Sequence, residues 1–183
     1  IEDVVVVGYS LGARVALSLL NSERISQIIS LSGTCGMLDD DDKRESRRLR
    51  DEELASNLRN TSMLSFCTTW YAQPMWKSLR EKNMTSAENN IAKRRSDAIG
   101  FKKDEIANVL EHASVGKQKN TWAMLRNTHK PCAFVYGELD DKFARIAEKA
   151  CKNNGSMIKA IKIEKAGHAI HLERAHAVTL ELS

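Results

Sequence analysis

"VVVVGYSLGARVALSLL", residues 4–20, is the stretch that decides the fold. Four consecutive valines read as a fully buried strand, because β-branched side chains favour the pleated backbone and a continuous apolar run suits a strand covered on both faces. Gly8, Ser10 and Gly12 follow at once, and Ala13–Leu20 favours helix. Strand, G-x-S-x-G and helix in that order predict a sharp turn that holds the serine in a strained conformation and lifts its hydroxyl above the carboxyl edge of a sheet. The flanking residues are small because the backbones crowd there. The same turn places the Leu11 amide near a helix amino end, where developing negative charge is stabilised, so Leu11 is a candidate oxyanion donor. A glycine-flanked serine alone is more often an ordinary turn; the strand before it and the helix after it give this one its meaning.

Outward from this stretch, "QIISLSG" at 27–33 reads as a second strand, completing a βαβ unit with parallel strands and a right-handed crossover. Residues 36–130 hold one proline and no convincing strand. Met63, Phe66, Cys67 and Trp70 share a helical face behind a Ser62 cap, and Ile106, Val109, Leu110 and Ala113 share another. From Pro131 the strand pattern returns as "CAFVYG", followed by a helix with Phe143, Ile146, Ala147 and Ala150 on one face that can stop at Gly155. "MIKAIKI" at 157–163 is a further strand, and the chain is mostly helical from Ala169. The expected class is α/β: a mostly parallel sheet from residues 1–35 and 131–183, with 36–130 as a helical insertion.

Composition narrows the function classes. A chain of 183 residues has the length of one ordinary domain and can bury roughly 70% of its unfolded surface. The net charge of +4, from 28 basic and 24 acidic residues, is too mild and too mixed for a nucleic-acid surface. The densest basic run, Lys93-Arg94-Arg95, reads as a solvated helix face, and Asp39–Asp42 as a solvated turn or helix start. Cys35, Cys67, Cys132 and Cys151 lack metal or redox spacing and are expected to be reduced thiols in a reducing compartment. No apolar run reaches membrane-spanning length, so no membrane span is expected. With neither a phosphate loop nor a metal-spaced ligand cluster, no metal and no cofactor is expected. The sequence opens at Ile1 and lies within a strand three residues later, which reads as a cut start.

A nucleophilic or basic serine needs a histidine to take its proton and a carboxylate to fix that histidine's tautomer. His112, His171 and His176 lie in helical pattern, and His129 stands at a strand entrance; these read as surface or packing residues. His168 follows the strand ending near Ile163, on a loop at the carboxyl edge where Ser10 must be. By the same logic the acid follows "FVYG". Glu138, Asp140 and Asp141 all qualify by position, and Asp140 is preferred.

The order Ser, Asp, His with a helical insertion between resembles the α/β-hydrolase superfamily, in particular the 2-succinyl-6-hydroxy-2,4-cyclohexadiene-1-carboxylate synthase family of menaquinone and phylloquinone biosynthesis. The resemblance covers nearly the whole chain: "GYSLGARVAL" at the turn, "WYAQP" at 70–74, "RRSDAIG" at 94–100, "VGKQKNTWAML" in the insertion, "GELDDKF" at 137–143 and "KAGHAIHLE" at 165–173. "WYAQP" and "GELDDKF" are the specific matches, since hydrolases in general share only the turn and the Gly-His. The resemblance implies a triad of Ser10, Asp140 and His168, and substrate contacts from Tyr9, Arg14, Arg47, Trp70, Tyr71 and Arg95; the Arg47 match depends on an alignment gap. It implies a small anionic substrate with several carboxylates, which planar guanidinium groups bind in bidentate fashion better than lysine does. Arg14, one helical turn past Ser10, is within reach of such a cleft.

The implied reaction is an elimination: the Ser-His pair removes a ring proton, pyruvate leaves and a diene forms. In the superfamily several strands, and the loop with the second oxyanion donor, precede the serine strand; none is in these residues. The expectation is therefore a partial α/β-hydrolase fold with a helical cap, lacking the amino-terminal part of the same fold that would complete it. Loss of one oxyanion donor typically costs ~10²–10³ in rate, so the segment alone is expected to be inactive. In plants the family's domain is fused behind other enzymes of the pathway in a plastid protein, which implies a plastid location. Two other readings stand beside the lyase: a serine hydrolase of ester, thioester or carbon-carbon bonds, and a non-catalytic ligand-binding member.

Overall fold

The computed structural model describes residues 3–37, 40–82 and 102–182. It divides into two compact units, Ile1–Gly36 with Asn120–Ser183, and Met37–Lys119. The first is an α/β layer structure. Its strands are β1 (Val4–Tyr9), β2 (Ile25–Leu31), β3 (Cys132–Gly137) and β4 (Ile158–Ile163), all parallel and in the spatial order β1-β2-β3-β4. Helix α1 (Leu11–Ser18) connects β1 to β2. In β2 and β3 successive side chains alternate between two cores. Ile28 and Phe134 join Leu17, Leu125 and Ile158 on one side, while Ile29, Ala133 and Val135 join Ile163, Ile170 and Val178 on the other. This period of two, with apolar residues in both phases, is what a parallel strand covered on two faces requires.

Strand β1 departs from the expectation of full burial. Val4, Val5 and Val7 are 46%, 49% and 51% exposed. Among the described residues β1 is the terminal strand of the sheet and pairs with β2 alone, so its outer edge and much of its surface stay open. Strand β2 starts two residues earlier than the sequence pattern indicates, because Ile25 takes a place opposite Val4.

The second unit is helical in its described residues. Helices α2 (Asp41–Asn60), α3 (Met63–Ala72), α4 (Lys77–Glu81) and α5 (Lys103–His112) belong to it, with a 3₁₀ turn at Pro74–Trp76. Asp40 caps α2 by accepting from the Lys43 amide at 3.0 Å, and Ser62 caps α3 by accepting from Ser65 at 3.1 Å. Ala55, Leu58, Phe66 and Ala107 form its apolar centre, with Ile106 and Leu110 packed against them. Val109, expected on that buried face, is instead 49% exposed; the inward stripe runs through Ala107.

Residues 120–130, expected in the insertion, cluster with the first unit. Helix α6 (Trp122–Arg126) buries Trp122 and Leu125 in its core, and the Thr121 amide donates to the Cys35 carbonyl at 2.7 Å. Helix α7 (Asp141–Asn153) follows β3 and buries Phe143, Ala147 and Ala150, while α8 (Ile170–Glu173) and α9 (Ala175–Leu182) end the chain.

Candidate active site

Every strand of the first unit delivers a polar residue just past its carboxyl end, the edge at which open α/β sheets bind ligands. Ser10 follows β1 directly and Asp140 stands three residues past β3. His168 stands five residues past β4. The turn at Ser10 is as tight as the motif demands: its φ is +50°, in the left-handed region that costs a non-glycine residue roughly 1–2 kcal/mol. A Cβ at Gly8 would overlap the Gly12 carbonyl and the Ala13 amide, so the strand can pass the helix start only as glycine.

Three side chains from these ends form one hydrogen-bonded series. His168 Nδ1 is 2.9 Å from Asp140 Oδ2, and His168 Nε2 is 3.2 Å from Ser10 Oγ. An ionised carboxylate can only accept, so Nδ1 carries the proton donated to Asp140 and Nε2 accepts from the serine hydroxyl. The His168 side chain is fully buried and Asp140 nearly so. Asp140 divides its two oxygens: Oδ2 takes the imidazole, while Oδ1 accepts from the Phe143 amide at 3.3 Å and caps α7. The other acids near this edge are engaged elsewhere or exposed. Glu138 accepts from the Lys165 amide at 2.9 Å and meets Lys162 Nζ at 3.4 Å; Lys165 foremost holds its carboxyl below the usual range. Asp141 is exposed.

Leu11 is the first residue of α1, so its amide has no acceptor within the helix and lies beside the serine. Arg14, half-buried, stands one turn along α1 and donates its amide to the Ser10 carbonyl at 3.3 Å. Tyr9 packs its ring 5.4 Å from that of His168 and 4.2 Å from that of His171. Phe143 covers another side of the imidazole at 4.7 Å. Of the remaining histidines, His112, His129 and His176 are exposed.

The other expected substrate contacts belong to the second unit. Arg47 Nε donates to both carboxylate oxygens of the buried Asp51 at 2.9 Å. Trp70 stacks on Phe66 with ring centres 5.9 Å apart, and the buried Tyr71 meets Trp76 at 5.4 Å. Arg95 lies outside the described residues, as does the "RRSDAIG" segment.

Glu173 is a residue that sequence reasoning does not single out. Its Oε2 accepts from the Gly167 amide at 3.0 Å, fixing the peptide in front of His168. The only sequence signal is its place in "KAGHAIHLE", and an acid at a helix end has many ordinary uses. All four cysteines stand outside disulfides. Burial pushes the Cys35 thiol up to about 12 and the Cys132 thiol up to about 11, so neither offers a thiolate near neutral pH. Among the described residues no cluster of three metal-ligating side chains occurs, and no helix is long and apolar enough to cross a membrane.

Comparison with known proteins agrees with this architecture. No protein-family model matches the chain. It is 33% identical over 188 residues to the chloroplastic protein PHYLLO of Arabidopsis thaliana, covering 98% of this chain and 11% of that protein. It is 29% identical over 174 residues to 2-succinyl-6-hydroxy-2,4-cyclohexadiene-1-carboxylate synthase of Enterobacter sp. strain 638, covering 94% of this chain and 62% of that enzyme. Among solved structures, MenH from S. aureus superposes with a TM-score of 0.89 at 27% identity, over 99% of this chain and 66% of that one. An esterase from Thermogutta terrifontis shares the fold, with a TM-score of 0.73 at 16% identity. The chain thus spans about a tenth of PHYLLO and somewhat under two thirds of that synthase. By sequence and by fold it is a homologue of the 2-succinyl-6-hydroxy-2,4-cyclohexadiene-1-carboxylate synthases and of the matching stretch of PHYLLO, and it shares its fold with an α/β hydrolase from a deep-sea metagenome.

Proposed function

We propose that this chain carries the catalytic centre of a carbon-oxygen lyase of phylloquinone or menaquinone biosynthesis. It eliminates pyruvate from a 5-enolpyruvoyl-cyclohexene carboxylate to give 2-succinyl-6-hydroxy-2,4-cyclohexadiene-1-carboxylate. The observation that carries this reading is the hydrogen-bonded series Ser10–His168–Asp140 in a homologue of the synthases.

In this mechanism His168 Nε2 draws the proton from Ser10, and the serine oxygen takes a ring proton from the substrate. The electron pair of the broken C–H bond forms the second ring double bond as the ring carbon–oxygen bond breaks. The leaving enolpyruvate takes up a proton and becomes pyruvate. Asp140 stabilises the imidazolium that forms. The Leu11 amide supports negative charge on the conjugated acid. Arg14 and Tyr9, beside the reacting serine, contact the substrate in this reading. Substrate contacts at Arg47, Trp70, Tyr71 and Arg95 belong to the same reading, as the family resemblance implies. The reaction uses neither metal nor cofactor. A plastid location follows from the likeness to a protein named chloroplastic.

The test is pyruvate release from the pathway intermediate by the whole natural polypeptide that carries this chain, beside Ser10→Ala and His168→Ala. Each variant is expected to lose at least about 10³-fold in kcat/KM. Full turnover in both would remove the triad from the mechanism. Stoichiometric burst release of an alcohol from an activated ester, with no pyruvate release, would move the chain to the serine hydrolases.

A further inference from the structure

Three non-glycine residues among those described have φ in the left-handed region: Ser10 at +50°, Ser32 at +46° and Lys165 at +56°. Each follows the carboxyl end of a different strand, around the edge that carries Ser10 and His168. Strain of this kind costs of order 1–3 kcal/mol and persists where the surroundings over-determine it. Ser10 has its reason in the turn. Ser32 has none in the triad, yet it is 1% exposed.

Its hydrogen bonds supply the reason. The Ser32 amide donates to the Val135 carbonyl of β3 at 2.8 Å, and its hydroxyl donates to the carbonyl of His168 at 2.9 Å, across 136 residues of chain. In the same peptide run, Glu173 accepts from the Gly167 amide. A Cβ at Gly137 would overlap the Ala166 and Gly167 carbonyls, so the loop passes close over the end of β3. Glycine would adopt the Ser32 conformation without strain, and a glycine stands at the next position. What glycine cannot supply is the hydroxyl.

We propose that Ser32 is a positioning residue: its buried hydroxyl, held over the loop by a strained backbone, locks the His168 main chain so that the imidazole reaches Ser10 and Asp140 together. The role rests on the reading of Ser10 and His168 as the reacting pair. Removing the hydroxyl takes away the buried bond that ties β2 to the His168 main chain, and the loop gains freedom to shift.

The experiment compares Ser32→Gly, Ser32→Ala and the control Ser30→Ala in the whole natural polypeptide. Ser30 also carries a buried hydroxyl, two residues away, but has no hydrogen-bond partner among the described residues. Two readouts are taken: the rate and pH profile of Ser10 labelling by a fluorophosphonate, and amide hydrogen exchange of the 164–170 loop by mass spectrometry. In Ser32→Gly, labelling is expected to slow by about 10-fold or more, with an altered pH profile, and loop exchange to quicken by a similar factor. Global unfolding is expected to be unchanged or somewhat earlier, because relief of the strain is offset by the lost hydrogen bond and by the greater freedom of glycine in the unfolded chain. Ser32→Ala should slow labelling likewise, and Ser30→Ala should leave both readouts as they are. Wild-type labelling and loop exchange in Ser32→Gly overturn the proposal. If the unaltered protein does not label at Ser10, it is the reading of the reacting pair that fails; loop exchange alone then decides for or against the Ser32 lock.

Discussion

At the scale of single residues, the two oxygens of Asp140 do separate jobs, and substitution can part them. Asparagine caps a helix about as well as aspartate, so Asp140→Asn keeps the bond to the Phe143 amide but offers His168 no anion. The expected result is a fall of about 10³–10⁴ in turnover by the proposed reaction, with unfolding free energy changed by less than about 1 kcal/mol. Asp140→Ala loses the cap as well and should be less stable by roughly a further 1 kcal/mol; steady-state kinetics and urea unfolding on both variants check the division. Cys35 gives a second prediction, on pH. Burial raises its thiol from 9.0 to about 12, whereas in the unfolded chain it ionises near the ordinary value. The unfolded state therefore releases a proton that the native state keeps. The stability from this group is complete below about pH 9 and is lost as pH rises toward the folded value. Urea unfolding at about pH 8 and about pH 10.5 should show a steeper alkaline loss in the wild type than in Cys35→Ala.

At the scale of elements, the two glycines of the turn are not equivalent. A Cβ at Gly8 collides with backbone on α1, whereas one at Gly12 meets no heavy atom within 4 Å among the described residues. Gly8→Ala is expected to abolish folding of the turn, seen as loss of cooperative thermal unfolding. Gly12→Ala is expected to stabilise by about 0.5–1 kcal/mol, because alanine loses less backbone freedom in a helix. Local chemistry of this kind is legible in a sequence, which is why the turn, β3 with its Pro131 entrance, and the Ser62 cap are found where the pattern places them. The Asp140 position follows from the end of β3, although choosing among three neighbouring acids needs the resemblance or the fold. What the pattern misplaces depends on packing. Val109 fits a helical stripe on paper, but Ala107 lets α2 and α5 approach and takes the inward place. The Ser32–His168 bond is invisible because nothing local marks a serine whose acceptor lies 136 residues away.

At the scale of the whole molecule, the two ends of the sheet are built differently. β4 ends the sheet with exposed lysines at 159 and 162, and charge along a strand edge discourages pairing with another chain. β1 ends it with the half-exposed Val4, Val5 and Val7, and α1 beside it exposes Val15 and Leu19. An apolar edge with unpaired backbone groups is a template for a further strand, and a net charge of +4 on 183 residues repels weakly. The 183-residue chain by itself is therefore expected to self-associate as its concentration rises, with β1 as the contact. Val5→Lys with Val7→Lys should shift it toward monomer in light scattering. Little native stability should be lost, because both side chains are already half in water and strand propensities differ by at most about 1 kcal/mol. The paired control, Val15→Lys with Leu19→Lys, charges the helix surface and leaves the strand edge bare, so association should persist there if backbone pairing drives it. Equal relief by both pairs would assign the association to apolar surface, and a wild-type chain that stays monomeric throughout would mean that the edge is already protected.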